Sequence, residues 1–132
     1  MATFHRIHDI RVWHLARKLV NEIYRISGGK SFRGDRPLRN QMTRAGVSIV
    51  SNIAEGFERD GNREFIQFLA QAKGSAGEIM SQLQVAFDQK YCDEPTFRQM
   101  RSMAFQTIRM LDNLMDYLRK SEITGRKFKR MD

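Results

Sequence analysis

Apolar residues recur at three- and four-residue steps along four stretches of the chain, a spacing that places side chains on one face of an α-helix. The stretches cover residues 9–27, 35–59, 62–90 and 93–118 approximately. No segment alternates apolar and polar residues over a useful length, so we predict no sheet. The predicted core positions are Val12, Leu15, Ala16, Leu19, Val20, Ile23, Ile26, Leu38, Met42, Ala45, Ile49, Ile53, Phe57, Phe65, Leu69, Ala72, Ala76, Ile79, Leu83, Ala86, Phe97, Met100, Ala104, Ile108, Leu111, Met115 and Leu118.

Turn and cap residues separate the four stretches. Asp9, Asp35 and Asp93 stand where the first, second and fourth helices would begin and are predicted N-caps. Glycine pairs or turn clusters follow the first two helices, at residues 28–29 and 60–62. Short connections between long helices favour antiparallel neighbours. We therefore predict an all-α, up-down-up-down antiparallel four-helix bundle over residues 1–120 and a flexible basic C-terminal tail over residues 121–132.

Four glycines lie inside predicted helices, where glycine is destabilising relative to alanine. They are Gly46, Gly56, Gly74 and Gly77. We expect close approach of neighbouring helices at these positions.

The fourth helix carries a second apolar row beside its core stripe, formed by Met103, Met110, Leu114 and Tyr117. An apolar face this wide exceeds what one core requires. Self-association through this row is the favoured interpretation, and methionines that fill an irregular core are the alternative.

The charge is segregated along the 132-residue chain, whose formal net charge is +8. Residues 1–44 carry a balance of +7, residues 45–118 of −3 and residues 119–132 of +4. Solubility alone requires no such segregation, so a polyanionic partner is favoured. A basic protein without such a ligand, whose charges form a solvated surface, is the alternative.

The candidate nucleic-acid contacts are basic residues at the two ends of the chain. Side chains of this kind neutralise phosphates without reading bases. Phe128, within the basic tail, could also stack on an unpaired base. The candidates are Arg11, Arg17, Lys18, Arg25, Arg36, Arg39, Arg44, Arg126, Lys127, Lys129 and Arg130.

A row of polar residues accompanies the apolar stripe of the second helix. Ser48, Asn52, Glu55 and Arg59 are spaced so that they share one side of the helix, where Glu55 and Arg59 can pair. We predict that this polar seam bonds to Glu78 or Gln82 on the third helix and sets the packing register; a binding role is the alternative.

Several functional classes find little support. Cys92 is the one cysteine, and His5, His8 and His14 have no suitable third ligand, so we predict no metal and no cofactor. Residues 27–31 lack the leading glycine of a phosphate loop. The acidic residues Glu55, Glu58, Asp60 and Glu64 could serve a magnesium-dependent nuclease but suit a solvated helix boundary better. No long apolar run suggests a membrane span or signal peptide, so we expect a cytoplasmic protein.

Residues 41–59 resemble the signature of a bacterial family of small four-helix-bundle proteins encoded in intervening sequences of 23S ribosomal RNA genes. Trp13 supports the resemblance, as do Phe65, Phe68, Leu69, Ala72, Gly74, Ser75, Glu78, Gln82 and Leu83. It extends over about residues 10–118; Val50 and Met80 depart from the pattern. The resemblance implies a left-handed bundle assembled as a homopentamer, and a relation to the accessory variability proteins of retroelements, which bind nucleic acid.

Together these observations favour a non-enzymatic, multimeric protein that binds nucleic acid, RNA rather than DNA, with low sequence specificity. An adaptor that engages another protein through its apolar and basic faces is the alternative. A hydrolase built on the acidic residues ranks third.

Overall fold

The computed structural model describes residues 4–123, which form one short 3-10 helix and four long α-helices. The 3-10 helix is Ile7–Asp9, and the α-helices are α1 (Arg11–Ser27), α2 (Arg36–Glu58), α3 (Asn62–Asp88) and α4 (Glu94–Ile123). No strand occurs within these residues. The prediction of an all-α four-helix bundle is confirmed. The predicted tail began at residue 121, whereas α4 continues to Ile123; residues 124–132 lie outside the described residues.

Local side-chain chemistry explains where α2 and α4 begin. The Asp35 carboxylate accepts a hydrogen bond from the Leu38 N–H at 3.2 Å, and Pro37 stands in the first turn of α2. The Asp93 carboxylate accepts from the Thr96 N–H at 2.8 Å, and its hydrogen bonds with Thr96 lower the pKa of Asp93. Both predicted caps are present.

The predicted cap of α1 is wrong. The Asp9 carboxylate accepts hydrogen bonds from the backbone N–H groups of His5 and Arg6, at 2.9 and 3.2 Å, and these bonds lower the pKa of Asp9. Asp9 therefore closes the turn before α1, and α1 begins after Ile10 without a side-chain cap.

In the contacts between successive helices, residue numbers increase along one helix as they decrease along the next. Between α2 and α3, Gly56 near the end of α2 lies against Phe65 near the start of α3. Ser48 bonds to Ser75 near the middle of both helices. Along α3 and α4, the Asn62 side chain donates to the Leu118 carbonyl at 3.0 Å. The Phe87 and Phe97 rings stack at the other end, with centroids 4.4 Å apart. α3 makes its most extensive contacts with α2 and α4, while α1 packs less extensively on α2 and α4.

The core lies between the four apolar stripes. Most predicted core positions are buried. Leu38 and Ile108 are half-buried against them, and the predicted core positions Leu15 and Val20 are also only half-buried. Ile10 and Phe32, from the segments on either side of α1, are also fully enclosed. Thr107 is buried in α4 because its hydroxyl is satisfied by the Met103 carbonyl at 2.8 Å.

The second apolar row of α4 is partly covered by the chain itself. Met103, Met110, Leu114 and Tyr117 are half-buried against the core, and the Tyr117 ring meets Phe4 edge-on. The large apolar side chains that the described residues expose lie elsewhere, at Tyr24, Val47, Val85 and Phe105.

The four helical glycines divide into two pairs. A Cβ at Gly46 would lie 3.1 Å from Ile23 Cδ1, and one at Gly56 would lie 2.8 Å from Phe68 Cβ. Close helix approach therefore accounts for these two. Among residues 4–123, a Cβ at Gly74 or Gly77 would meet nothing within 4 Å, so the expectation of close approach does not hold for them in this part of the chain.

Two side-chain hydrogen bonds join the α1–α2 loop to the α3–α4 loop. In the first, the Ser31 hydroxyl donates to the Tyr91 carbonyl at 3.3 Å. In the second, the Tyr91 hydroxyl donates to Asp35 Oδ2 at 2.9 Å while its ring stacks on Phe32. This bond, with burial and the negative charge of Asp35, raises the pKa of Tyr91 above its ordinary value. The contribution of the Tyr91–Asp35 bond to the stability of the fold is fully present below the pKa of tyrosine in the unfolded chain. It is lost as pH rises through the higher pKa of Tyr91 in the folded state.

We predict that Asp35→Asn lowers the pKa of Tyr91 toward its ordinary value, because the facing carboxylate is removed while asparagine still caps α2. The ultraviolet absorbance of tyrosinate during an alkaline titration measures this pKa. The Tyr91→Phe variant identifies which transition belongs to Tyr91. An unchanged Tyr91 transition would contradict the role given to Asp35.

Candidate nucleic-acid interface

The outer side of α1 presents three exposed cations, Arg11, Arg17 and Lys18, which we call the α1 basic face. None of the three has an ion-pair partner among residues 4–123. They are exposed because the opposite side of α1, with Ala16 and Leu19, packs into the core. These side chains are therefore free to approach a polyanion.

Arg25 shares the seven-residue spacing of Arg11 and Lys18 but is not equivalent to them. Its Nη2 lies 2.7 Å from Glu22 Oε1. The hydrogen bond from Arg25 lowers the pKa of Glu22, so the carboxylate stays ionised and offsets the charge of Arg25. Arg25 contributes less positive potential than its position in the sequence indicates.

An aromatic cluster adjoins the α1 basic face. The Arg17 guanidinium carbon lies 4.9 Å from the centroid of the Trp13 ring, a cation–π geometry that leaves its charge exposed. The His8 and His14 rings contact Trp13 edge-on, at 5.2 and 5.1 Å between centroids. His14 Nε2–H donates to the His8 carbonyl at 2.8 Å, which fixes the ring. Sequence reasoning missed the cluster, although Trp13 and Arg17 are four residues apart on one helix.

The first half of α2 adds further cations. Arg36 and Arg44 are exposed, Arg39 is half-buried, and none pairs with a carboxylate of the described chain. The first turn of α2 contains no acidic residue. Cations near a helix N-terminus oppose the helix dipole, so stability does not explain Arg36 or Arg39.

The remaining predicted contacts, Arg126, Lys127, Lys129 and Arg130, lie outside the described residues. Lys30 and Arg33, exposed in the α1–α2 loop, were not among the candidates and add two cations near Arg36.

The predicted polar seam separates into two parts. Ser48 Oγ lies 2.9 Å from Ser75 Oγ, and Asn52 Nδ2 donates to the Ser48 carbonyl and hydroxyl oxygens at 2.9 and 3.0 Å. The partner on α3 is Ser75, rather than the predicted Glu78 or Gln82. At the other end Arg59 pairs with Glu55 at 3.0 Å in a half-exposed ion pair, and its guanidinium lies 5.1 Å from the Phe68 ring centroid.

Glu78 and Gln82 instead line an open cleft between α2 and α3, with a volume of about 430 Å³. Arg44 and Ser48 form the opposite wall. Once the Ser48–Ser75 pairing is established, the antiparallel register of α2 and α3 places Arg44 near Glu78. With that register, the sequence indicates the cleft.

Two other kinds of site are absent from residues 4–123. No three histidine, cysteine, aspartate or glutamate side chains in residues 4–123 are grouped so that they could hold a metal ion. No helix in this part of the chain is long and apolar enough to cross a bilayer.

The fold and the exposed cations define a small helical-bundle protein with a basic surface on its first two helices. The chain belongs to the 23S rRNA-intervening sequence protein family, whose model matches residues 8–113. A similar solved structure is that of a protein with unknown function from the S23 ribosomal protein family of Bacteroides thetaiotaomicron. It is 19% identical, with a TM-score of 0.71, and the match covers 79% of this chain and 97% of that one. This likeness supports the fold alone. No curated protein matches the chain.

Proposed function

We propose that this protein is a self-associating, non-enzymatic protein that binds RNA in preference to DNA through the phosphate backbone, with low sequence specificity. The observation that carries the proposal is the set of exposed cations on α1 and the first half of α2. Of the seven predicted contacts within residues 4–123, only Arg25 has an ion-pair partner there. Such cations release counterions from a polyanion when they bind.

The family description places these proteins in the context of 23S rRNA, and RNA is therefore the nucleic acid that we propose. The cluster of Trp13 and His8 beside Arg17 also favours a single strand, whose unpaired bases can stack on aromatic rings. A duplex offers phosphates but keeps its bases stacked within the helix.

Self-association would multiply weak contacts. Each subunit presents only a few phosphate-binding side chains, and an assembly, five subunits by family resemblance, would repeat them along one ligand. The partly exposed row of Met103, Met110, Leu114 and Tyr117 remains our candidate for the contact between subunits.

The test is a fluorescence-anisotropy titration of single-stranded RNA and duplex DNA of equal length across a salt series, with the mass of the protein measured in solution. We expect multimers whose affinity is higher for RNA and falls linearly with salt on logarithmic axes. Absence of binding at low salt, or binding indifferent to salt, would contradict the proposal. Capture of an acidic protein without nucleic acid would favour the adaptor function instead.

A further inference from the structure

The cleft between α2 and α3 contains one of the proposed RNA contacts, Arg44, beside side chains that RNA binding does not explain. The hydrogen-bonded pair Ser48–Ser75 stands at its wall, and Ala45 lies beside it on α2. One helical turn along from the serine pair stand Arg44 on α2 and Glu78 on α3. A further turn along α3 stands Gln82. The cleft thus has a cation on one wall and oxygen acceptors on the other.

The two charges of the cleft do not neutralise each other. The ion pairs of the described chain have N–O distances between 2.7 and 3.1 Å. Arg44 and Glu78 line the same cleft, yet neither forms a pair within residues 4–123. Each therefore retains its full capacity for an external partner of opposite charge.

Gln82 adds an acceptor that lacks a donor. Its Oε1 atom is buried and has no hydrogen-bond partner in the described structure. A buried polar atom of this kind is uncommon, because it gives up water without a replacement bond. Gln82 and Glu78 are four residues apart on one helix, so the two side chains lie on neighbouring turns of the same side, and the Gln82 amide would turn toward the cleft to meet a ligand.

A guanidinium group fits this pair of acceptors. It presents several N–H donors in one plane and can reach two acceptors together, whereas an ammonium is a compact point charge. A carboxylate at the other end of the same ligand would meet Arg44 across the cleft. Packed helices lie about 8–10 Å apart, a span that a short flexible chain between two charged groups can cover.

We infer that the α2–α3 cleft binds a small zwitterionic guanidino compound, with its guanidinium on Glu78 and Gln82 and its carboxylate on Arg44. The cleft volume, about 430 Å³, is within the range of small-molecule sites. The site is separate from the α1 basic face, and the inference does not depend on RNA binding.

L-Arginine is the probe, followed by amide ¹H–¹⁵N chemical shifts of the full chain. We expect saturable shifts concentrated at residues 44–48 and 75–82. Citrulline, which replaces the guanidinium by an uncharged ureido group, and agmatine, which lacks the carboxylate, should each bind about tenfold more weakly, since each loses one charge-assisted contact.

Single variants test separately the contacts proposed for the guanidinium and for the carboxylate of the ligand. Glu78→Gln should weaken L-arginine about tenfold, and Arg44→Gln should reduce its affinity to that of agmatine while leaving agmatine itself unchanged. Glu64→Gln, on the same helix but outside the cleft, should leave both affinities unchanged. Circular dichroism checks that the variants are folded.

The inference is overturned if L-arginine causes no saturable shift, or if its affinity is the same in Glu78→Gln as in the wild type. Shifts at the cleft that follow protein concentration rather than L-arginine would also overturn it, because a second copy of the chain would then occupy the cleft.

Discussion

Simultaneous replacement of Arg11, Arg17 and Lys18 by glutamine will weaken binding of single-stranded RNA on the order of a hundredfold at roughly 50 mM salt. The three side chains are exposed, and none has an ion-pair partner in residues 4–123, so their charges are available to phosphates. Each phosphate contact contributes to affinity through counterion release, and the losses multiply. Anisotropy titrations of the variant and the wild type with one labelled RNA measure the difference.

The matched control removes the same charge from the other helices. Arg63 on α3 and Arg101 and Arg109 on α4 are also exposed and have no ion-pair partner within residues 4–123. Their replacement by glutamine lowers the net charge by the same amount. We expect this control to lose less than about threefold, because screening limits the influence of charges away from the ligand. Equal losses in both triple variants would show that net charge alone governs binding. Such a result would remove the case for the α1 basic face.

Gly56→Ala will lower the free energy of unfolding by about 1–3 kcal/mol. Its added Cβ would lie 2.8 Å from Phe68 Cβ, 2.9 Å from Phe65 Cδ1 and 3.2 Å from the Phe65 carbonyl oxygen. Two of these atoms cannot move independently of the α3 backbone, so α2 and α3 must separate. Denaturant unfolding followed by circular dichroism gives the change.

Gly77→Ala is the control for this substitution, because it makes the same chemical change at a helix position that no described residue of another helix contacts. Outside the local helix backbone, no atom of residues 4–123 lies within 4 Å of an added Cβ at Gly77, and alanine restricts the unfolded chain. We expect stability to rise by about 0.5–1 kcal/mol. If Gly56→Ala were as stable as Gly77→Ala, the close approach of α2 and α3 at Gly56 would be refuted.

The helices and the core followed from the sequence because both depend on local chemistry and periodicity. Asp35 and Asp93 stand beside proline-containing first turns, and both cap as predicted. Asp9 has the same chemistry but serves an earlier turn, since a short 3-10 helix precedes α1 and uses its carboxylate first. A helix cap can therefore be predicted from the sequence only where no neighbouring turn competes for the same side chain.

The candidate sites were less accessible from the sequence, because they depend on how helices align. Ser48 is half-buried on α2, and its bond to Ser75 depends on a register that loop geometry sets. Arg25 shows the opposite case. Its neutralisation by Glu22 three residues earlier could have been read from the helical spacing.

The salt dependence of RNA binding, compared between the wild type and the Arg11, Arg17 and Lys18 triple variant, tests most directly whether α1 contacts phosphates. Each contact with a single strand contributes about 0.7 to the slope of log affinity against log salt, so the variant should have a slope smaller in magnitude by about 2. A slope identical to that of the wild type would contradict the account, since three lost cations would then have released no counterions.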